Sequence, residues 1–186
     1  MLKARLVACL LALTLAVTPS LSPRPAIAAT AAEINRDATT ALNQLFEKTP
    51  DAKKLAARAK AILIFPSVYK AGFMFGAQYG EGALRKGNKT VGYYNTVAAS
   101  YGLQAGAQAF GYALFFMNDS ALNFFEKSDG FEIGSGPSIV VLDEGAAKAL
   151  TSSTVTQDVY AFIFSQKGLM GGLGLQGSKI SKIDKK

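Results

Sequence analysis

Few residues of this 186-residue sequence could take part in catalysis, because it contains no histidine and a single cysteine. Without histidine, a serine or cysteine nucleophile has no imidazole base, and a metal site loses its commonest side-chain ligand. The cysteine, Cys9, lies in a segment that we expect to be removed from the mature protein. We therefore expect no catalytic residues, no enzymatic activity, no cofactor and no metal.

Carboxylates are the remaining catalytic candidates. Two close acid pairs follow the first predicted helix, Asp129 with Glu132 and Asp143 with Glu144. A glycosidase needs two carboxyls that flank a cleft, whereas all four of these residues border predicted turns, where acids are usually solvated. A hydrolase using such a pair is our third hypothesis for function. It requires a concave pocket that joins Asp129, Glu132 or Asp143.

A literal G-x-G-x-x-G pattern occupies residues 172–177. In a dinucleotide-binding fold this pattern lies between a strand and a helix, and an acid follows about 20 residues later. Only nine residues follow Gly177, so the required helix and strand do not fit. We expect no nucleotide site here.

The first 28 residues have the pattern of a secretory signal peptide. Lys3 and Arg5 precede an apolar run of 12 residues, and residues 26–28 give the small-x-small pattern that signal peptidase cleaves. This run is shorter than the ~20 residues that a membrane-spanning helix needs. We therefore expect secretion across the inner membrane to the periplasm. The alternative is a periplasmic protein that is also associated with a membrane.

Removal of this segment changes the charge of the protein. The loss of Lys3, Arg5 and Arg24 would lower the net charge from +7 to +4. Part of the positive net charge therefore belongs to the predicted signal peptide, which argues against a nucleic-acid partner. No cysteine would remain, so we expect a fold that is held by its hydrophobic core without disulfides.

Two helices are predicted first. Thr30 and Glu33 form a capping box, and apolar residues then recur at helical spacing up to Lys48. Thr49 and Pro50 begin a second helix, which has one apolar side. Its other side carries the basic residues Lys53, Lys54, Arg58 and Lys60. Such a helix either lies on an anionic bilayer or packs on its own domain, and the second arrangement is the commoner one.

From residue 61 the pattern changes to strands. A buried run ends at Pro66, residues 71–84 alternate, and a polar turn at 85–89 leads to a partner strand at 90–101. Further strands are predicted at 102–117, 131–133, 138–142, 158–165 and 169–180, with a short helix at 121–127. We expect an α+β fold in which N-terminal helices cover a strongly curved, mostly antiparallel, glycine-rich sheet or small barrel.

Glycines share one face of these strands, and each is costly inside a strand. One explanation is structural, namely tight curvature or a helix laid closely against the sheet; the other is a trough for something chain-like, such as an acyl chain. We favour the structural explanation, which is compatible with the second. The surface concerned is lined by Gly72, Gly76, Gly80, Gly102, Gly106, Gly172 and Gly174.

Several blocks, in order, resemble the SYLF domain family over about residues 49–180. They are Ile64-Phe65-Pro66 with Val68, Lys70-Ala71-Gly72-Phe73, Gly80-Glu81-Gly82, Gly102-Leu103-Gln104 with Gly106-Ala107-Gln108, and Lys167-Gly168-Leu169 through Gly177-Ser178. The resemblance implies a lipid-binding module without enzymatic activity: eukaryotic members bind phosphoinositides and couple membranes to actin, and bacterial members are mostly exported. Gln176 departs from the glutamate of many eukaryotic members. The resemblance does not bring phosphoinositides or actin to a bacterial periplasm.

These observations predict an N-terminal helix at 29–48, a SYLF-like domain at 49–182 and a basic tail at 183–186. The predicted function is binding of anionic phospholipid at the cell envelope, since each lysine or arginine near an anionic leaflet contributes about 1 kcal/mol. The alternative is an envelope scaffolding protein with a protein partner. Lys70 and the second helix are expected to meet headgroups first, and the full set of candidates is Lys53, Lys54, Arg58, Lys60, Lys70, Arg85, Lys86, Lys89, Lys179 and Lys182.

Overall fold

The computed structural model describes residues 28–128, 130–142, 156–168, 175 and 177–186. These residues form three helices and six strands. The helices are α1 (Ala31–Lys48), α2 (Pro50–Ala56) and α3 (Asp119–Lys127), and the strands are β1 (Ala61–Lys86), β2 (Lys89–Phe116), β3 (Phe131–Glu132), β4 (Ile139–Leu142), β5 (Val159–Gly168) and β6 (Lys179–Ile183). None of the helices in the described residues is long and apolar enough to cross a bilayer.

The two N-terminal helices begin where the sequence predicts. The capping box of α1 is present: the Glu33 amide donates to the Thr30 hydroxyl, and the Glu33 carboxylate accepts from the Thr30 amide at 2.8 Å. Thr49 occupies the N-cap of α2, but its side chain makes no capping hydrogen bond. Helix α2 ends at Ala56, earlier than predicted, because the chain then joins the sheet: the Lys60 amide donates to the carbonyl of Phe116 at 2.8 Å.

The sheet is built on one long antiparallel hairpin. Strands β1 and β2 have 26 and 28 residues and are joined by a tight turn that contains Gly87. The far edge of β2 pairs with β6 and β5, so the order is β3-β6-β2-β5-β4, with β1 on the other side of β2. Only the pairing of β4 with β5 is parallel among the described strands. The predicted curled, mostly antiparallel sheet beneath N-terminal helices is confirmed.

Two predicted interruptions of these strands are wrong. The chain does not leave the sheet at Pro66, because the register shifts between Phe65 and Val68 and β1 continues beyond the bulge. A bulge tolerates proline, since the ladder needs no amide hydrogen there. The strand predicted from residue 102 is likewise the second half of β2. Most of the last predicted strand, 169–180, lies outside the described residues, and β6 extends to Ile183.

Strand β1 curls so strongly that its two halves meet. A Cβ atom on Gly80 would lie 2.7 Å from Cγ2 of Val68, and a Cβ on Gly82 would overlap the backbone oxygen of Ile64. A Cβ on Gly72 would overlap the Cα atom of Gly76, at the sharpest part of the bend. At these positions the glycines are therefore required by close backbone packing, as the structural explanation predicts.

The core has two layers, one on each face of the curled sheet. The concave face, on which the halves of β1 meet, buries Phe65, Tyr112 and Phe116 against Phe125 of α3. The outer face buries apolar residues of β1, β2 and β5 beneath α1 and α2. The largest of these are Ile64, Phe115, Tyr160, Phe162 and Phe164, which pack near Ile34, Ala38, Leu45 and Leu55 of the helices.

Candidate functional site

Helix α1 covers only part of the outer face of the sheet. Ile64 and Ala83 are fully buried in the layer beneath α1 and α2. Further along the hairpin, large side chains on the same face are exposed; alternation along the strand assigns them to this face. Tyr69, Phe75 and Tyr79 are 65%, 71% and 48% exposed there.

Small apolar residues extend this bare region onto the neighbouring strand. Tyr79 pairs with Val97 and Ala77 pairs with Ala99, and all four side chains are exposed. We call Tyr69, Phe75, Ala77, Tyr79, Val97 and Ala99 the aromatic face. Scattered apolar residues on a surface are ordinary, but a contiguous apolar region is typical of a surface that binds a membrane or another protein.

A large cleft opens beside the aromatic face, where the end of α1 approaches the bulge of β1. Its volume is about 1120 Å³. Lys48 of α1 and Lys167 of β5 line it from two sides, and Tyr69 is shared between the cleft and the aromatic face. The remaining lining residues are Gln44, Pro66, Ser67, Ala109, Phe110, Ser165 and Gln166.

The backbone at the mouth of this cleft is strained. Ser165 has a φ of +53°, a left-handed conformation that costs a non-glycine residue free energy. A register shift between Ala109 and Gly111 lies in the β2 segment that pairs with the end of β5. Beyond these irregularities the ladder resumes with Lys167 opposite Ala109, and both residues line the cleft.

A second, smaller cleft of about 460 Å³ shares the bulge of β1 with the first one. It lies near the start of α1 and is lined by Tyr79, Glu81 and Asp37 as well as by Tyr69. The two clefts therefore flank the bulge, with lysines in the larger one and carboxylates in the smaller one.

Glu81 in the smaller cleft has its charge neutralised internally. Lys185 donates to both of its carboxylate oxygens, at 2.8 and 2.9 Å, and Tyr79 donates to one of them at 2.7 Å. Burial raises the pKa of Glu81, but these hydrogen bonds and the charge of Lys185 outweigh it, so the pKa is lowered overall. Burial, together with the bond to Glu81, raises the pKa of Tyr79 to about 12. The carboxylate of Glu81 is therefore held by Lys185 and Tyr79 at the wall of the smaller cleft.

The predicted basic residues of α2 and its following turn do not line either cleft. Lys53, Lys54, Arg58 and Lys60 are exposed. Two of them are paired with acids, because Lys54 contacts Asp51 at 2.9 Å and Lys60 contacts Asp119 at 3.2 Å. The apolar side of α2, with Ala52 and Leu55, is buried against the domain.

The predicted basic residues of the hairpin lie at its turn, near α1 and α3. Arg85 donates to the backbone oxygen of Asn35 at 2.8 Å and to the hydroxyl of Thr39 at 2.6 Å. Lys86 contacts Glu126 at 2.8 Å, and Lys89 is exposed. The two hydrogen bonds of Arg85 join β1 to α1, and desolvation there lowers the pKa of this residue.

The remaining basic candidates occupy two further places. Lys179 and Lys182 are exposed on β6. Lys70, which we expected to meet headgroups first, is only 9% exposed and lies on the concave face. The ten predicted residues are thus distributed over α2 and its turn, the hairpin turn, β6 and the concave face, and they do not form one surface.

The other predicted site residues lie partly outside the described part of the chain. Gly72 and Gly106 are register partners on β1 and β2, Gly76 and Gly80 lie in β1, and Gly102 lies in β2. Gly172 and Gly174 lie outside the described residues, as do Asp129, Asp143 and Glu144. Glu132 is exposed on β3. Within the described ranges no cluster of His, Cys, Asp or Glu could hold a metal ion.

Sequence reasoning missed the residues that the cleft brings together. Lys48 appears in the sequence only as the last residue of a helix, and Lys167 as part of a predicted turn. Phe75 and Tyr79 stand out in the sequence as one side of an alternating strand, which is also the pattern of a buried side. Their exposure depends on where the helices lie, since α1 and α2 pack over Ile64 and Ala83 on the same face.

Comparison with known proteins identifies the second half of the chain. Residues 97–186 match the family described as Ysc84: Las17-binding protein actin regulator, which is the SYLF domain family that the sequence blocks resemble. No curated protein matches the chain. The resemblance to this family is therefore confirmed, and it supports a lipid- or actin-related binding domain.

Proposed function

Because residues 97–186 belong to the Ysc84 (SYLF) family, a family of binding domains, we propose that this protein is a peripheral membrane protein without enzymatic activity. Its ligand is anionic phospholipid at the surface of the cell envelope. The observation that carries this proposal is the aromatic face, which adjoins a cleft lined by Lys48 and Lys167.

The aromatic face and the lysines of the adjoining cleft suit two levels of a membrane interface, the glycerol region and the phosphates. Tyrosine and phenylalanine place apolar rings at the level of the headgroups and glycerol, where the membrane is partly wet. Lysines beside them lie at the height of the phosphates. The exposed ring of Tyr69 lines the cleft that holds Lys48 and Lys167 and also belongs to the aromatic face, so both contacts can form in one orientation.

The magnitudes favour a reversible contact. Two lysines near an anionic leaflet contribute about 2 kcal/mol together, which is too little for binding by itself. Full burial of a phenylalanine side chain contributes roughly 1.5–3 kcal/mol, and Phe75 retains 71% of its surface for such burial. The aromatic face therefore supplies the larger part of the affinity, and the lysines supply the preference for anionic lipid.

Co-sedimentation with vesicles tests this proposal. We expect binding to phosphatidylglycerol vesicles that weakens as salt is raised, and much weaker binding to phosphatidylcholine vesicles. The double variant Tyr69→Ser, Phe75→Ser should lose most binding to both. Lys167→Gln should reduce binding only to the anionic vesicles, and the matched control Lys89→Gln, an exposed lysine at the hairpin turn, should not. Equal binding of all four proteins would overturn the proposal.

A protein partner is the second candidate, because the matching family is described as binding the protein Las17. In that case the aromatic face is the interface of an envelope scaffolding protein. A pull-down that retains one partner after lipid extraction, and loses it in the double variant Tyr69→Ser, Phe75→Ser, would favour this function over the first.

We propose that the protein acts after export to the periplasm, on the basis of the signal-peptide pattern in residues 1–28. Mass spectrometry of the protein purified from a bacterial envelope should give a chain that begins at Ala29. A full-length chain in the cytoplasmic fraction would contradict export.

A further inference from the structure

We propose a second binding site on the concave face, in which Lys70 holds one phosphate-type oxyanion with the help of Gln78 and Gln108. This site lies on the opposite side of the sheet from the aromatic face. It therefore does not depend on the proposed membrane contact.

The fold of β1 brings these residues together. Gly72 packs against Gly76, and Gly80 packs against Val68, so the two halves of β1 approach each other in antiparallel fashion around the bend. Residue 70 then lies opposite residue 78. Because Lys70 is also the cross-strand partner of Gln108, the lysine is flanked by an amide side chain on each side.

The charge of Lys70 has no counter-charge in the described part of the chain. The side chain is 9% exposed, yet the described residues provide it with no carboxylate within ion-pair distance. Within the ranges that the structure describes, the Nζ atom of Lys70 is not among the fully buried side-chain atoms that lack a partner, so the ammonium group reaches solvent although most of the residue is covered. An anion from solution can therefore contact it.

The neighbouring polar groups have hydrogen-bonding capacity left over. Gln108 is 7% exposed, and its Oε1 atom has no hydrogen-bond partner in the ranges that the structure describes. Gln78 is 5% exposed and donates from Nε2 to the hydroxyl of Ser178 at 3.3 Å, a long bond. Lysine has three N–H donors, so one can satisfy Gln108 Oε1 while the others bind the ligand.

The chemistry of this cluster fits a single compact oxyanion. Its donors are one ammonium, two amides and one hydroxyl, which come from both halves of β1, from Gln108 of β2 and from Ser178, just before β6. Donors from several directions suit a tetrahedral phosphate. Beyond the cluster the concave face buries Val68 and Phe110, together with the hydroxyl groups of Thr96 and Tyr112. Free phosphate and the headgroup of a single phospholipid molecule share this chemistry.

Side-chain amide signals in NMR spectra test the site directly. Titration of the full chain with inorganic phosphate should shift the amide signals of Gln78 and Gln108, whereas chloride at equal ionic strength should not. A short-chain phosphatidylglycerol below its micelle concentration should shift them at lower concentration if the source is a lipid, and at higher or equal concentration if it is free phosphate. If neither ligand shifts these signals, the proposal fails.

Two variants separate a binding role from a structural one. Lys70→Met should lower phosphate affinity roughly tenfold or more while the melting temperature stays close to that of the wild type, since the ammonium group forms no ion pair within the described residues. The exposed control Lys89→Met should bind phosphate normally. Gln108→Glu should also abolish the phosphate response, because the new carboxylate takes the place of the ligand. Retained binding in Lys70→Met, or a lower melting temperature without any phosphate effect, would overturn the assignment.

Discussion

The long β1–β2 hairpin doubles back at its middle, so that its two tips pack together at one end, the closed end, and its middle forms the other, the bent end. These two ends differ in composition and in burial. At the closed end, which comprises residues 61–68, 80–86, 89–96 and 110–116, aromatic and branched side chains fill both faces, and Phe65, Tyr112 and Phe116 are 0% exposed. At the bent end, residues 69–79 and 97–109, alanine and glycine predominate and the large apolar side chains Tyr69 and Phe75 are exposed. The same two strands thus supply the core at one end and a binding surface at the other.

This difference shows how one element can serve stability and function without conflict. Burial of apolar area drives folding, so the closed end carries most of the stability. The bent end buries less and is free to expose rings that a core would hide. Substitutions should therefore separate into those that change stability and those that change binding, according to the end in which they lie.

The largest effect is expected at the closed end. Phe116→Ala should lower the free energy of unfolding by about 3–5 kcal/mol, because the ring is fully buried and contacts Phe125 with ring centroids 5.0 Å apart. Phe75→Ala at the bent end is the matched control and should change stability little. Urea denaturation followed by circular dichroism measures both. Similar losses in the two variants would contradict the division into two ends.

The second effect concerns Lys185 and Glu81, an ion pair whose side chains are 10% and 12% exposed. Lys185→Met should cost about 1.5–3 kcal/mol at neutral pH, because Glu81 keeps its charge and loses its strongest partner. The pKa of Glu81 is lowered in the folded state. Its contribution is therefore present above its unfolded pKa of about 4.3 and is lost as the pH falls through the folded value. Denaturation at several pH values should show a shallower acid loss in the variant than in the wild type.

The third effect concerns the close packing between the two halves of the curled strand β1. Gly82→Ala should destabilise the protein by about 1–3 kcal/mol, because the new Cβ atom overlaps the backbone oxygen of Ile64. The control Gly87→Asn lies in the hairpin turn at a φ of +59°, which asparagine tolerates, with nothing within 4 Å of the new Cβ. It should melt close to the wild type. A tolerated Gly82→Ala would show that the halves of β1 pack less closely than described.

The smallest effect on stability is expected at Phe75, where the effect on membrane binding is expected to be large. Phe75→Ser should change the free energy of unfolding by less than about 0.5 kcal/mol, because the ring is 71% exposed. The same variant should bind phosphatidylglycerol vesicles several-fold more weakly. A Phe75→Ser protein that is clearly destabilised would place this ring in the core and remove it from the proposed membrane contact.

Local signals in the sequence were sufficient for much of the fold. The capping box at Thr30 and Glu33 forms among residues three apart, and the turn around Gly87 is flanked by alternating strands, so both were predicted correctly. The bulge at Pro66 was missed, because only the pairing with β2 shows that the strand continues there. The end of α2 was misplaced for the same reason, since its helical pattern continues after the chain has joined the sheet.

The sequence by itself determined that the chain lacks imidazole chemistry and that helices precede a curled antiparallel sheet, since composition and short-range periodicity encode these properties. Its resemblance to the SYLF family rests separately on several blocks of matching residues. The tertiary structure alone decided which charges and rings share a surface. It placed Lys48 and Lys167 in one cleft, left Tyr69 and Phe75 uncovered and turned Lys70 inward. The physical reason is that exposure depends on which distant elements cover a residue, and in this protein the position of α1 and α2 on the sheet and the curl of β1 determine which residues are covered.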